Sequence, residues 1–190
     1  YYLTYGSSFG KRVIVSTGTE PDNADSINCG IYQNSLEENN FNIGSLGRRW
    51  FDQRFVDQQE ESYTIPTPNA VDGTNLDVIA RVAAASNESS TFTLKIGDNF
   101  DTKSMQAKSN ILIGSEPNQK FNGINGVLHL RQASKSEVTA ILKYSSNGDL
   151  ASTGYLDYIA VRYQRIFSGS SDGFLFSLLS QNSNQQLSIK

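Results

Sequence analysis

The side chains that could carry chemistry are few and scattered. Cys29 and His129 are the chain's single cysteine and single histidine. A thiolate nucleophile needs a base within hydrogen-bond reach, so this pair is the first arrangement to weigh. His129 lies in Gly126-Val127-Leu128-His129-Leu130-Arg131, which reads as mid-strand with aliphatic neighbours, not as a loop at a strand end. Cys29 follows a polar loop and has neither the local signature nor the oxyanion-hole context of a peptidase. Both residues read as structural, and no catalytic residue is assigned.

The carboxylates offer a second chemistry. Glu37-Glu38 and Glu60-Glu61 could in principle supply the acid and nucleophile of a glycosidase, which must stand about 5–9 Å apart across a cleft. Adjacent glutamates in a strand point to opposite faces, which disfavours either pair acting alone. Asp22, Asn23 and Asp25 are hard oxygen ligands of the kind Ca²⁺ takes, but no glycine and distal glutamate follow in EF-hand register. Solvated turn residues account for them, and no metal or other cofactor is assigned. A glycan site would need exposed aromatic rings in a groove. Trp50, Tyr155 and Tyr158 are the candidates, with Tyr163 beside them, although core packing competes for most of these rings. Asp157 lies on a long apolar run and is costly there unless paired. A structural ion pair with Arg162 or Arg165 is the expected solution.

The elements that must position these groups are strands. Period-2 alternation recurs and amphipathic helical periodicity is scarce. Strands are expected over Arg12–Ser16, Ile31–Asn34, Glu61–Ile65, Ile111–Ile113 and Gly126–Arg131, with loop or a single helical turn over Leu36–Phe41. Leu76, Val78, Ala80, Val82 and Ala84 line one face of a long strand, and Phe92, Leu94 and Ile96 line the next. The short polar connection between these two predicts an antiparallel hairpin. Val138, Ala140, Leu142 and Tyr144 alternate along another strand, closed by the Asn147-Gly148 tight-turn signal. Tyr155–Phe167 is apolar on both faces, as a central strand should be. Phe174–Leu179 follows a turn, and Gln181–Lys190 reads as an edge strand.

Gly47-Arg48-Arg49-Trp50-Phe51-Asp52-Gln53-Arg54-Phe55 holds the only tryptophan and the densest aromatic cluster. The packing reading prevails: Trp50 anchors the core with the phenylalanines and leaves the arginines at a rim, while the alternative makes it a binding platform. Together the pattern predicts an all-β fold, a two-sheet antiparallel β-sandwich of jelly-roll-like type with about nine to eleven strands. No linker or repeat divides residues 1–190, so a single sandwich domain is expected.

The totals exclude several classes. The 190 residues carry a net charge of −3 with no basic run, which leaves no electrostatic footprint for nucleic acid. No apolar stretch approaches the ~20 residues of a membrane-spanning helix. Hydrophobic residues make up 37% and charged residues 18%, below the usual globular shares, and the abundance of Ser, Asn and Gly suits strands with polar outer faces. A lone cysteine rules out a disulfide within the chain. The first residue is Tyr1, so a mature fragment or a domain excised from a longer chain is expected.

Four pieces in order carry a family resemblance: Gly10-Lys11-Arg12 leading into a strand, the Gly-x-x-Trp-aromatic-x-x-x-Phe stretch from Gly47 to Phe55, Asn147-Gly148-Asp149, and Gly154-Tyr155-Leu156-Asp157-Tyr158-Ile159 with Arg165 downstream. With these the chain resembles the non-catalytic region that precedes the peptidase domain in PorU-type proteins. These are the C-terminal signal peptidases (sortases) of the bacterial type IX secretion system, relatives of the gingipain cysteine peptidases. The pattern departs from the family at Asp52, where a glycine is expected, and at Arg49, where an acidic residue is. The resemblance implies an exported parent held at the outer membrane or cell surface. Its catalytic Cys and His would lie in a peptidase domain downstream in the same chain, and its partners would be that domain, secretion-system proteins or cargo. The expected role is a non-catalytic accessory domain. A jelly-roll carbohydrate-binding module with a glycan partner is the rival reading, and an adhesin-like surface domain without a small ligand is a third.

Overall fold

The computed structural model describes residues 25–42, 50–107, 124–167 and 185–187. Among these residues there is no helix. Thirteen strands follow in chain order: β1 (Asp25–Ile27), β2 (Cys29–Leu36), β3 (Phe41–Asn42), β4 (Trp50–Phe51), β5 (Gln53–Phe55), β6 (Glu60–Pro66), β7 (Asn75–Ala85), β8 (Ser90–Ile96), β9 (Asn99–Met105), β10 (Ile124–Ala133), β11 (Glu137–Ser145), β12 (Thr153–Ile166) and β13 (Gln185–Leu187). Nine of them build two antiparallel sheets. The front sheet runs β10-β7-β12-β2, with β5 also paired to β12, and the back sheet runs β6-β11-β8-β9. From β6 onward the chain passes repeatedly from one sheet to the other, which gives the sandwich its jelly-roll character.

Side-chain alternation explains the two layers. Leu76, Val78, Ala80 and Val82 on β7 are fully buried, as are Phe92 and Leu94 on β8 and Ala140, Leu142 and Tyr144 on β11. Facing rows from the two sheets interlock to form the core, as in aligned sandwiches. Phe55 stands edge-on to Phe92 at 5.7 Å, and Phe92 meets Tyr144 at 4.7 Å. Gly154, the second residue of β12, lies directly over these rings. A Cβ there would come within 2.6 Å of Phe92 and 2.8 Å of Tyr144, so only a glycine fits without a shift.

Several expectations need correction. The runs at 76–84 and 92–96 are not a hairpin: β7 lies in the front sheet and β8 in the back sheet. Each run buries its whole apolar face, so the two pack toward one another across the core. The Asn147-Gly148 turn is present, with both residues at positive φ (54° and 99°), yet it joins β11 to β12 across the sheets and does not close a hairpin. The polar strand β9 was not expected at all. β6 covers the strand expected at Glu61–Ile65 and ends at Pro66, residues 37–40 form a loop, and β12 is central, bonded to β7 on one side and to β5 and β2 on the other. Gln185–Leu187 is a strand, paired in parallel with β1. The strands expected at 12–16, 111–113 and 174–179 lie outside the described residues.

Asp157 is paired, but with neither Arg162 nor Arg165. The β7–β12 register slips between Leu156 and Tyr158, making Asp157 the extra residue of a β-bulge. Its Oδ2 lies 3.3 Å from Nε of Arg81, which the bulge brings opposite Tyr158. The bulge re-aims the carboxylate sideways along the sheet, within reach of β7.

Candidate functional site

Cys29 and His129 do not meet. They lie on β2 and β10, the two outer strands of the front-sheet path, with β7 and β12 between them. The register aligns His129 with Ile79, Ala160 and Ser35 in turn, and Cys29 is six residues further along β2 than Ser35. Strand spacing and rise then place the two residues roughly 25 Å apart. His129 is exposed and directs Nε2 to Asp77 Oδ1 at 3.2 Å, where Arg131 Nε also approaches at 3.8 Å. This is a cross-strand charge cluster on the outer face of the sheet.

The tryptophan is not a core anchor. The segment breaks at Asp52: Trp50 and Phe51 pair with β3, whereas Gln53–Phe55 join β12. Phe51 and Phe55 take the buried positions, and Trp50 is 44% exposed. Phe51 packs against Tyr155 at 5.4 Å, so the small β3–β4 ribbon lies against the end of β12. Phe41, opposite Phe51 in that ribbon, is 41% exposed. Tyr155 is half-buried beneath Phe51, and burial raises its hydroxyl pKa against the opposing charge of Arg54. Tyr158 is half-buried beyond the bulge. Tyr163 belongs to the core, edge-on to Tyr32 at 5.6 Å, with its hydroxyl donating to the Pro68 carbonyl and its pKa pushed by burial up to about 12. Among the candidate rings, Tyr155 packs under Phe51, Trp50 projects from the exposed side of the same ribbon, and Tyr163 lies elsewhere in the core.

Beside the ribbon runs a groove of about 380 Å³, lined by Glu37, Glu38, Asn40, Asp52, Gln53 and Tyr63 together with Ser35 and Leu36. Three local features build it. The loop leaving β2 carries Glu37 and Glu38, both exposed. Asp52 interrupts the aromatic segment: its N–H donates to Leu156 O at 2.8 Å, its Oδ1 accepts Glu38 N–H at 3.0 Å, and its carbonyl accepts the Asn40 amide at 3.2 Å. Tyr63 comes from β6, in the other sheet.

The electrostatics are those of crowded anions. Burial raises the Asp52 pKa, the Glu38 N–H opposes that rise, and the charges of Glu38 and Glu37 add to it. Tyr63 is pushed well above the usual phenol range by burial first, then by the charges of Glu61 and Asp52. Asp52 thus keeps its proton to higher pH than an ordinary carboxylate and can donate a hydrogen bond while protonated. Glu37 and Glu38 reach this groove, whereas Glu60 and Glu61 sit on β6, where Glu61 accepts the Gln59 amide at 2.7 Å. Sequence reasoning missed Asp52 and Tyr63 as groove residues. The one available signal was Asp52 itself, a charged residue where the family resemblance implies glycine.

Asp22 and Asn23 lie outside the described residues, and Asp25 opens β1. Among the described residues no three His, Cys, Asp or Glu side chains are placed to hold a metal ion, and no helix is long and apolar enough to cross a membrane.

No protein-family model matches the chain, and no curated protein matches it in sequence. Solved structures do match. Dimeric latent PorU from Porphyromonas gingivalis aligns over 80% of this chain with a TM-score of 0.58 and 18% identity. The aligned region is 14% of that PorU chain, so the likeness is to one region of a much longer protein and is one of fold. The CBM36-1 domain of a multidomain xylanase from the hindgut metagenome of Trinervitermes trinervoides aligns over 70% of this chain and 96% of its own, at 14% identity and a TM-score of 0.40. A carbohydrate-binding module CBM36, solved with calcium and xylotriose, aligns over 66% and 97%, at 14% identity and 0.39.

Proposed function

We propose that this chain is a non-catalytic accessory domain of a PorU-like C-terminal signal peptidase of the type IX secretion system. In this reading it is exported with its parent to the outer membrane or cell surface. There it supports a peptidase domain downstream in the same chain, or docks secretion-system proteins or cargo. The observation that carries the reading is the PorU likeness in fold, over 80% of this chain, together with the ordered motifs at Gly47–Phe55, Asn147–Asp149 and Gly154–Ile159. The separation of Cys29 from His129 agrees with a parent whose reactive groups lie elsewhere. The test is direct: sequence the gene beyond Lys190 and assay the purified chain for peptide hydrolysis and transpeptidation. A gingipain-type peptidase domain downstream and an inert chain are expected. Activity that disappears in Cys29→Ala or His129→Ala overturns the reading, as does a downstream domain of unrelated chemistry.

One observation favours a second reading, a carbohydrate-binding module. Trp50 is exposed two residues before Asp52, which lines the polar groove, and an exposed ring can stack on a sugar face while carboxylates and amides take its hydroxyls. A glycan array with Trp50→Ala as control distinguishes the two. Specific binding lost in the variant establishes the module, and a silent array leaves the accessory domain.

A further inference from the structure

The loop at 146–149 contains an Asn-Gly pair whose chemistry neither reading uses. Asn147 is exposed and held at φ 54°. Glycine has no Cβ to shield its amide nitrogen, so an Asn-Gly pair is the sequence in which that nitrogen most readily attacks the preceding carboxamide. Here both reacting groups are tied down. Asn147 Nδ2 donates to the Ser89 carbonyl at 2.7 Å, and its Oδ1 accepts Ser145 Oγ at 3.3 Å. The Gly148 N–H donates to Ser146 Oγ at 3.3 Å.

Two carboxylates hold the loop itself closed. Asp149 accepts Asn87 N–H at 2.8 Å, Ala151 N–H at 2.9 Å and Ser86 Oγ at 3.1 Å. Asp57 accepts Ser146 N–H at 2.7 Å. The network thereby fastens the β11–β12 connection to the β7–β8 connection, both of which cross between the sheets.

We propose that Asn147 is a latent deamidation site gated by this network. When the loop opens, the deprotonated Gly148 nitrogen attacks Asn147 Cγ and a new N–Cγ bond forms. The Cγ–Nδ2 bond breaks and ammonia departs with the proton, leaving a succinimide. Water then opens either carbonyl of that ring, giving aspartate or isoaspartate at position 147. Either product replaces the carboxamide NH2 by a free carboxylate, on the side chain in aspartate and on Cα in isoaspartate. It cannot donate to the Ser89 carbonyl, and it adds negative charge to a loop that already holds the Asp149 carboxylate. The lost contact cannot re-form, so the step is a one-way release of the strap between the two connections.

The experiment follows amide-to-acid conversion at Asn147 by peptide mass spectrometry, with isoaspartate detected separately. It is run at neutral pH on the whole chain, on Asp149→Ala, on Asp57→Ala, and on the chain unfolded in urea. Conversion is expected to be slow in the folded chain and fastest in urea. Each folded variant should convert at least about tenfold faster than the parent chain, because modification follows the open population. Equal rates in the folded and urea-unfolded chain overturn the proposal, as do folded variants no faster than the parent. If neither variant folds, the folded-versus-urea comparison decides alone.

Discussion

The carboxylate of Asp101 accepts the backbone N–H of His129 at 2.9 Å, fastening the outer strand β9 of the back sheet to the outer strand β10 of the front sheet. An edge strand leaves a row of backbone donors and acceptors without strand partners, and a side chain from across the sandwich can satisfy one of them. On the opposite flank the Asn34 amide donates to the Pro66 carbonyl at 2.9 Å, joining β2 to β6. Asp101→Ala is expected to cost about 1 kcal/mol, read as a lower urea midpoint. Asp101→Asn keeps an acceptor oxygen and should lose less.

Gly154→Ala tests the closeness of β12 to the aromatic core. The added methyl meets Phe92 and Tyr144 inside contact distance, and the Tyr144 ring is fixed by its hydroxyl contact with Ser152. Overpacking of this kind costs about 1–3 kcal/mol. Thermal unfolding of the variant should therefore fall by several degrees, with strand content unchanged below the transition.

Trp50→Ala separates a surface tryptophan from a core one. A buried tryptophan cut to alanine costs about 3–5 kcal/mol, whereas an exposed one changes stability within about 0.5 kcal/mol. The exposure of Trp50 predicts the second result in denaturant unfolding. Phe55→Ala, at a fully buried site only five residues later, should show the first.

Two carboxylates should give opposite pH signatures. Asp149 has its folded pKa lowered, first by the Asn87 N–H it accepts. Its contribution is therefore present above the unfolded value near ~3.9 and is lost as pH falls through the folded pKa. Asp149→Ala should be less stable than the parent at neutral pH, with the difference closing in acid. Asp52 has its folded pKa raised by burial, so the native state binds the proton more tightly and ionisation works against the fold as pH rises through that value. Asp52→Asn should match or exceed parental stability at neutral pH, and its advantage should vanish in acid. Denaturant titrations across the acid range measure both.

Local pattern revealed the strands whose faces differ and concealed those whose faces do not. The rows Leu76–Ala84, Phe92–Ile96 and Val138–Tyr144 were legible because every second side chain is buried. Strand β9 was not, since Met105 is its only buried side chain and its exposed ones are mostly polar. Alternation says which face of a strand points inward but not which strand lies beside it. That is why β7 and β8 looked like a hairpin when they belong to different sheets. The partner of Asp157 depended on a bulge, and the groove draws Glu38, Asp52 and Tyr63 from three separate segments. Trp50 was misjudged because size alone favours burial, whereas the break at Asp52 hands the inner positions to Phe51 and Phe55.

The position of β12 bears on how the chain comes to be folded. Its partners β2, β5 and β7 all precede it in sequence, and its pairing with β2 joins residues more than a hundred positions apart. Until β12 has been made, β2 and β5 lack the partner described for them and β7 stays unpaired on that side. Assembly dominated by such distant pairings is slow, on the order of milliseconds to seconds for small domains. A chain stopped before Thr153 would keep only the β7–β10 pair of the front sheet, so that sheet closes in one step when β12 docks.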